Sequence, residues 1–210
     1  MKSFLLATLI LFSIQIRAQD FWEEITRFKN INTALCVDHN TILFGGSINN
    51  DTSGLFVSFD GGGTWNYQHL WANSNIPTSY IGMFNDTYYA YVASQLYKSN
   101  DLVDWNAIGD VGNAGNLFIL NDSTIFTGHW EGLDKSTDGG HTWERVYSTH
   151  PNESVETIVQ HPNGDLFFGT YTFDNNAVPG VYRSTDTGET WERIGLERNQ
   201  ILSLAVDSNG

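Results

Sequence analysis

Cysteine and basic residues are both scarce in this sequence. Cys36 is its only cysteine, so no disulfide can form within the chain, and a disulfide-stapled extracellular domain is excluded. The sequence has ten lysines and arginines and 24 aspartates and glutamates, which gives a net charge of −14. Nucleic acids bind basic surfaces, so no nucleic-acid partner is expected. Cys36 lies in the apolar run Ala34–Val37 and is expected to be a buried core residue.

Long apolar runs are missing as well, except at the N-terminus. Met1 and Lys2 form a short positive start, residues 4–14 are apolar, and Ala18 precedes Gln19 at a plausible cleavage point. This run is too short to span a bilayer, so residues 1–18 are predicted to be a signal peptide rather than a buried helix. No membrane insertion is expected after cleavage. The protein is therefore expected to be secreted or extracytoplasmic, at the periplasm or cell surface, and its lack of disulfides is typical of bacterial export.

One eight-residue motif recurs along the chain. It follows the pattern S-x-D-x-G-x-T-W, and we call it the box. Full copies occupy residues 58–65, 136–143 and 184–191, and a shorter copy occupies residues 99–105. The defined positions are Ser58, Asp60, Gly62, Thr64, Trp65, Asp101, Trp105, Ser136, Asp138, Gly140, Thr142, Trp143, Ser184, Asp186, Gly188, Thr190 and Trp191. Such agreement does not arise from composition and indicates a repeat architecture.

Each box belongs to a longer repeating unit. Two short apolar segments joined by a polar turn precede it, a third leads into it, and a fourth begins at its tryptophan. This order predicts a four-stranded antiparallel meander, with strands a to d and the box in the c–d hairpin. Units of about 40 residues with four strands are typical of propeller blades. No segment shows a helical period, so the fold is predicted to be an all-β propeller.

The two ends of the chain contain parts of further units. Residues 21–30 match the strand that follows a box, although no box precedes them, and residues 201–210 match the first strand of a blade. Residues 19–210 are therefore predicted to be a partial propeller. It consists of an orphan strand d at 21–30, four blades at 31–200, and the start of a further blade at 201–210. We expect the chain to be the N-terminal piece of a longer protein.

The box residues favour a structural role over a metal or catalytic one. The aspartate can accept hydrogen bonds from backbone N–H groups, the glycine permits an unusual backbone angle, and the tryptophan packs a large ring. No box pairs a nucleophile with a base, and the segment Asp60–Gly63 lacks the alternating carboxylates of a calcium loop. No catalytic residue, metal ligand or cofactor is therefore assigned.

The box pattern is similar to the Asp-box, or bacterial neuraminidase repeat, and the chain resembles Asp-box β-propellers from Ser58 to Trp191. That family includes sialidases, xyloglucan-degrading hydrolases, sortilin ectodomains and photosystem II assembly factors. The resemblance implies that the boxes stabilise hairpins on the rim, away from the ligand site. It implies no single activity, because one propeller fold hosts many functions.

The resemblance to sialidases would imply an arginine cluster for the sugar carboxylate and an Arg-Ile-Pro motif near the N-terminus. The chain instead reads Arg27-Phe-Lys-Asn30 there, and Arg145, Arg183 and Arg193 flank boxes at positions of blade scaffold. Sialidase activity is therefore not expected from this chain. A glycoside hydrolase that uses paired carboxylates stays open, because the acidic residues offer many candidate pairs and no spacing selects one.

In a four-stranded blade, the b–c hairpins and d–a links lie at the end opposite the boxes, and we call this end the loop face. Its aromatic and acidic residues could stack on sugar rings and bind their hydroxyls; alternatively, the aromatic rings pack between blades. The candidate ligand residues are Asp51, Trp71, Trp130, Glu131, Tyr171 and Asp174. The predicted function is a secreted, non-catalytic module that binds an extracellular protein or glycan. The alternative is the N-terminal part of a sialidase-like or other glycoside hydrolase.

Overall fold

The computed structural model describes residues 28–48, 52–70, 78–112, 114–174 and 176–207. Within them it contains sixteen β-strands and no helix, so no helical segment there could cross a membrane. The predicted signal peptide and most of the predicted orphan strand at 21–30 lie outside the described residues.

The strands form four sheets, and in each sheet the strands follow one another in chain order. Blade 1 contains β1 (Phe28–Cys36), β2 (Ile42–Ile48), β3 (Thr52–Ser58) and β4 (Asn66–Gln68). Blade 2 contains β5 (Tyr80–Phe84), β6 (Thr87–Val92), β7 (Gln95–Ser99) and β8 (Asn106–Asp110). Blade 3 contains β9 (Asn116–Ile119), β10 (Ile125–His129), β11 (Gly132–Ser136) and β12 (Glu144–Ser148). Blade 4 contains β13 (Glu153–Gln160), β14 (Leu166–Thr172), β15 (Val181–Ser184) and β16 (Glu192–Gly195). The prediction of an all-β propeller with four-stranded antiparallel blades is confirmed.

The chain divides into two compact units. Of the described residues, the first unit holds blade 1 and residues 101–103. The second unit holds blades 3 and 4 with most of blade 2.

The core of the first unit lies on the sheet of blade 1. Leu43 and Leu55 are fully buried, as expected for central strands whose apolar side chains are covered on the sheet face. Phe44 stacks on Phe56 with ring centroids 4.9 Å apart, and the half-buried Trp65 meets Phe44 edge-on at 4.7 Å. The box tryptophan therefore packs on the second strand of its own blade.

The core of the second unit lies between blades 3 and 4. Phe126 and Leu133 of blade 3 and Phe168 of blade 4 are fully buried in one apolar cluster. Tyr147 of blade 3 contacts Phe168 and Tyr182, with ring centroids 5.1 and 5.0 Å apart. Because a middle strand of an inner blade is covered on both sides, residues 125–128 of β10 are all buried rather than alternating.

One expectation differs from the structure. Cys36, expected in the core, is exposed and free, because β1 alternates and Cys36 shares the more exposed side of the strand with Ala34. Residues 201–207 form no strand, although Ile201 is buried and its N–H donates to the carbonyl of Thr170 at 2.9 Å. In each of the four blades, strand a pairs with strand b of the same sheet. The described residues after Ile201 contain no strand b with which residues 201–207 could pair. The further blade stays a prediction.

Candidate ligand-binding face

The boxes lie at the same end of each blade as the a–b turns. The N–H of Gly61 donates to the carbonyl of Asn40 at 2.8 Å, and the N–H of Gly139 donates to that of Ser123 at the same distance. Since antiparallel strands alternate in direction, the b–c hairpins and d–a links occupy the opposite end. Box and loop face are thus separated by the length of a strand.

The three full boxes share one set of hydrogen bonds, seen in residues 184–191. The Ser184 hydroxyl donates to Asp186 Oδ1 and accepts from the N–H of Gly188, both at 2.8 Å. The N–H and hydroxyl of Thr190 donate to the same carboxylate at 2.9 and 2.5 Å. The same four bonds form in residues 58–65 and 136–143. Each carboxylate is therefore engaged within its own hairpin.

These bonds favour the charged form of the aspartate. Donation from the threonine hydroxyl, followed by donation from the threonine N–H, lowers the pKa of Asp60 and Asp186 to about 2. The pKa of Asp138 is lowered for the same reason. The box glycines take φ angles of 97°, 97° and 82°, in the region that other residues enter only at a cost.

The shorter box at 99–105 reaches a similar turn without a glycine. Leu102 takes the positive φ, at 64°, and is buried. Asp101 Oδ1 accepts the N–H of Val103 at 2.9 Å. The box turn therefore depends on the local backbone and the aspartate, not on glycine alone.

The loop face of blades 3 and 4 presents a cluster of aromatic rings. Trp130 lies in the two-residue turn between β10 and β11 and is 51% exposed, while Phe173 follows β14 and is 73% exposed. Their rings stack with centroids 5.9 Å apart and planes 19° apart. Tyr171 meets Phe173 edge-on at 4.7 Å. We call Trp130, Phe173 and Tyr171 the aromatic cluster.

A polar network holds the turn that carries Trp130. His129 Nδ1 accepts the N–H of Glu131 at 3.2 Å, and His129 Nε2 lies 3.1 Å from Asp134 Oδ2. The Arg145 guanidinium contacts Asp134 and donates to the carbonyl of Glu131 at 3.0 Å. Burial raises the pKa of Asp134, but His129 and Arg145 outweigh it and hold the pKa below its ordinary value. The network fixes both sides of the turn and thereby positions Trp130.

Three carboxylates of the loop face of blades 3 and 4 differ in their surroundings. Glu131 is largely exposed, with Arg145 Nη2 at 3.7 Å. Asp174 Oδ1 accepts the N–H of Asn176 at 2.8 Å, which lowers the pKa of Asp174. Glu153, at the start of β13, is only 4% exposed, and its Oε1 has no hydrogen-bond partner among the described residues.

Four of the six candidate ligand residues lie on this face, namely Trp130, Glu131, Tyr171 and Asp174. Asp51 and Trp71 lie outside the described residues. Phe173 was not singled out from the sequence, because its stacking on Trp130 depends on how two blades meet. In the described part of the chain, no three His, Cys, Asp or Glu side chains form a metal-binding group.

The comparisons with known proteins concern the fold. No protein-family model matches the sequence, and no curated protein matches it. Among solved structures, an ancestral GH74 enzyme is similar with a TM-score of 0.59 and 18% identity over 81% of this chain. YCF48 bound to D1 peptide is similar with a TM-score of 0.51 and 14% identity over 80% of this chain. YCF48 from Cyanidioschyzon merolae is similar with a TM-score of 0.55 and 11% identity over 86% of this chain.

The similar structures differ in how much of their own length is matched. The chain spans 26% of the GH74 enzyme, 70% of YCF48 with its peptide and 59% of the Cyanidioschyzon merolae YCF48. Sequence identity is low in all three. The likeness therefore shows that the chain has a β-propeller fold of the kind found in these proteins.

Proposed function

We propose that this chain is part of a secreted, non-catalytic Asp-box β-propeller that binds a glycan on its loop face. The observation that carries the proposal is the exposed stacking of Trp130 on Phe173, with Tyr171 against them. The signal peptide predicted at residues 1–18 supports export, and the shared bonds of the three full boxes support membership of the Asp-box family.

The aromatic cluster suits a sugar ring. The C–H face of a pyranose is apolar and can cover an exposed aromatic ring, which removes apolar area of both partners from water. The carboxylates of Glu131 and Asp174 can accept hydrogen bonds from hydroxyls around the ring. Apolar rings with a few polar groups beside them are typical of small-ligand sites.

A binding role fits the carboxylates better than hydrolysis does. Asp134 is engaged by His129 and Arg145, and Asp174 by a backbone N–H, so neither is poised to transfer a proton. A glycoside hydrolase that is completed by residues outside this chain is the alternative. The buried Glu153, whose Oε1 has no hydrogen-bond partner among the described residues, and the fold likeness to a GH74 enzyme favour that alternative.

Binding of a protein partner, instead of a glycan, is a further candidate function. A structure with a similar fold is YCF48 bound to D1 peptide, and aromatic residues are also enriched at protein interfaces. Under this proposal the same exposed rings would contact peptide side chains.

The test is calorimetric titration of the protein with a panel of neutral oligosaccharides. Trp130→Ala and Phe173→Ala should each weaken binding roughly 3- to 10-fold, as loss of one ring contact does. Phe59→Ala is the matched control, since Phe59 is an exposed aromatic residue inside a box. Unchanged affinity in both loop-face variants would contradict the proposal. Turnover of a glycan that disappears in Glu153→Gln would favour the hydrolase, and peptide binding without glycan binding would favour the protein partner.

A further inference from the structure

A cavity of about 310 Å³ opens next to the aromatic cluster, between the 173–180 loop and the segment after β16. Phe173 forms one wall, Asp174 and Pro179 lie beside it, and Arg198 and Gln200 contribute from the other side. The volume is at the lower end of the roughly 300–1,000 Å³ typical of small-ligand sites. The cavity therefore has room for a sugar unit next to the stacked rings.

Arg198 is the arginine without a carboxylate partner in the described part of the chain. Arg145, Arg183 and Arg193 form ion pairs with Asp134, Asp165 and Glu197, respectively. Glu197 is adjacent in sequence to Arg198 but forms its ion pair with Arg193, whose Nη2 lies 3.4 Å from Glu197 Oε1. Asp174 lines the same cavity, but its Oδ1 accepts the N–H of Asn176 and it forms no ion pair with Arg198. The Arg198 guanidinium therefore offers five N–H donors and has no ion-pair partner among the described residues.

The backbone that carries Arg198 is held in an unusual conformation. Arg198 has a φ of 64°, in the left-handed region, and its N–H donates to the carbonyl of Pro179 at 2.9 Å. The Gln200 amide donates to the carbonyl of Thr172 at 2.9 Å. Backbone strain of this kind persists where surrounding bonds hold it, often beside ligands. The two bonds tie the arginine segment to the cavity wall, which reduces the ordering cost of binding.

We propose that this cavity binds a single uronic acid unit of an otherwise neutral glycan, with its carboxylate on Arg198. A hexuronate offers three chemical features together: an apolar ring face, hydroxyls, and a carboxylate at the ring edge. The exposed ring of Phe173 can cover the apolar ring face, and the Asp174 carboxylate can accept hydrogen bonds from the hydroxyls. The planar guanidinium of Arg198 can bind the sugar carboxylate through two parallel hydrogen bonds. The inference rests on the proposed glycan-binding function and adds the class of sugar.

The experiment is titration of the protein with a neutral oligomer that carries one terminal glucuronate and with the same oligomer after reduction of that carboxyl group. The natural chain should bind the acidic form roughly tenfold more tightly, as expected for a charge-assisted pair. Arg198→Gln should remove that difference and keep the affinity for the reduced form. Arg198→Lys should restore only part of it, since an ammonium cannot form the bidentate pair. Arg183→Gln, which alters an arginine paired with Asp165, is the control and should leave the difference intact.

Equal affinity for the two oligomers, or an unchanged preference in Arg198→Gln, would overturn the uronate assignment while the proposed glycan binding stands. Binding of neither oligomer, nor of the neutral panel above, would overturn the proposed function and the assignment together. The last part of the experiment is titration of the protein with a glutamate-rich peptide. Arg198-dependent binding of that peptide without binding of the glucuronate oligomer would show that the cavity selects a protein carboxylate, and this too would overturn the assignment.

Discussion

The ammonium of Lys135 lies 2.9 Å from the carbonyl oxygen of Thr187, so that blade 3 is bonded to the box of blade 4. The same ammonium forms an ion pair with Glu189 and lies 5.7 Å from the centre of the Phe126 ring. Lys135 is only 6% exposed. The box is therefore more than a local hairpin, because it also provides the acceptors that fix the neighbouring blade.

Lys135→Met should lower the free energy of unfolding by about 1–3 kcal/mol, because it leaves the Thr187 carbonyl without its donor. Urea denaturation measures the change. Lys98→Met is the matched control, since Lys98 precedes Ser99 as Lys135 precedes Ser136 and is exposed. That control should change stability by less than about 0.5 kcal/mol. Equal losses in the two variants would mean that charge, and not the contact between blades, is responsible.

Phe168→Ala should cost about 3–5 kcal/mol of unfolding free energy, since its fully buried ring packs on Tyr182 and Trp191 at 4.7 Å. Phe173→Ala should cost less than about 1 kcal/mol, because Phe173 is largely exposed. Thermal and urea unfolding of the two variants give the comparison. A large loss in Phe173→Ala would show that this ring supports the fold and would weaken the ligand-binding proposal.

Gly188→Ala should be clearly more destabilising than Gly164→Ala. Both glycines have positive φ angles, 82° and 97°, so an alanine costs about 1–2 kcal/mol in strain at either position. A Cβ at position 188 would also lie 2.6 Å from the Phe126 ring, whereas one at position 164 meets nothing within 4 Å. The additional loss should be about 1–3 kcal/mol, as for an overpacked core. Chemical denaturation of both variants would show it, and equal losses would contradict the clash.

Acid should destabilise the fold through the box aspartates. The pKa of Asp186 is about 2 in the folded chain, against an ordinary value of 3.8, so the unfolded chain binds more protons between these values. A lowered folded pKa means that the stabilisation is complete above about pH 4 and is lost as the pH falls through 2. Asp186→Asn should show a smaller loss of stability over this window than the natural chain.

Denaturant unfolding at several pH values between 2 and 5 measures that difference. Unfolding of the Asp186→Asn variant should take up roughly one proton fewer in this window. Glu192→Gln is the control, because it removes an exposed acid on β16 outside the box bonds. An identical pH dependence in Asp186→Asn and the natural chain would contradict the role given to these hydrogen bonds.

The blades could be predicted from the sequence because the box repeats at defined positions, and strand order follows from repetition. The exposure of Cys36 could not be predicted, since strand alternation does not tell which face of β1 is covered. The pairing of Trp130 with Phe173 also depends on how blades 3 and 4 meet. Among the described residues, Arg198 has no carboxylate partner because Arg193 pairs with Glu197, and this pairing depends on the folded backbone.

The two stacked rings of the aromatic cluster are carried by two different connections between strands. Trp130 lies on a two-residue turn, whereas Phe173 belongs to the longer 173–180 loop, and the boxes bond at the opposite end of the blades. Exchange of residues 173–180 would therefore alter one half of the ring stack and leave every box hydrogen bond in place. The box hydrogen bonds thus lie outside the loop that carries Phe173. Under the proposed function, replacement of this loop changes the ligand preference and keeps the box hydrogen bonds.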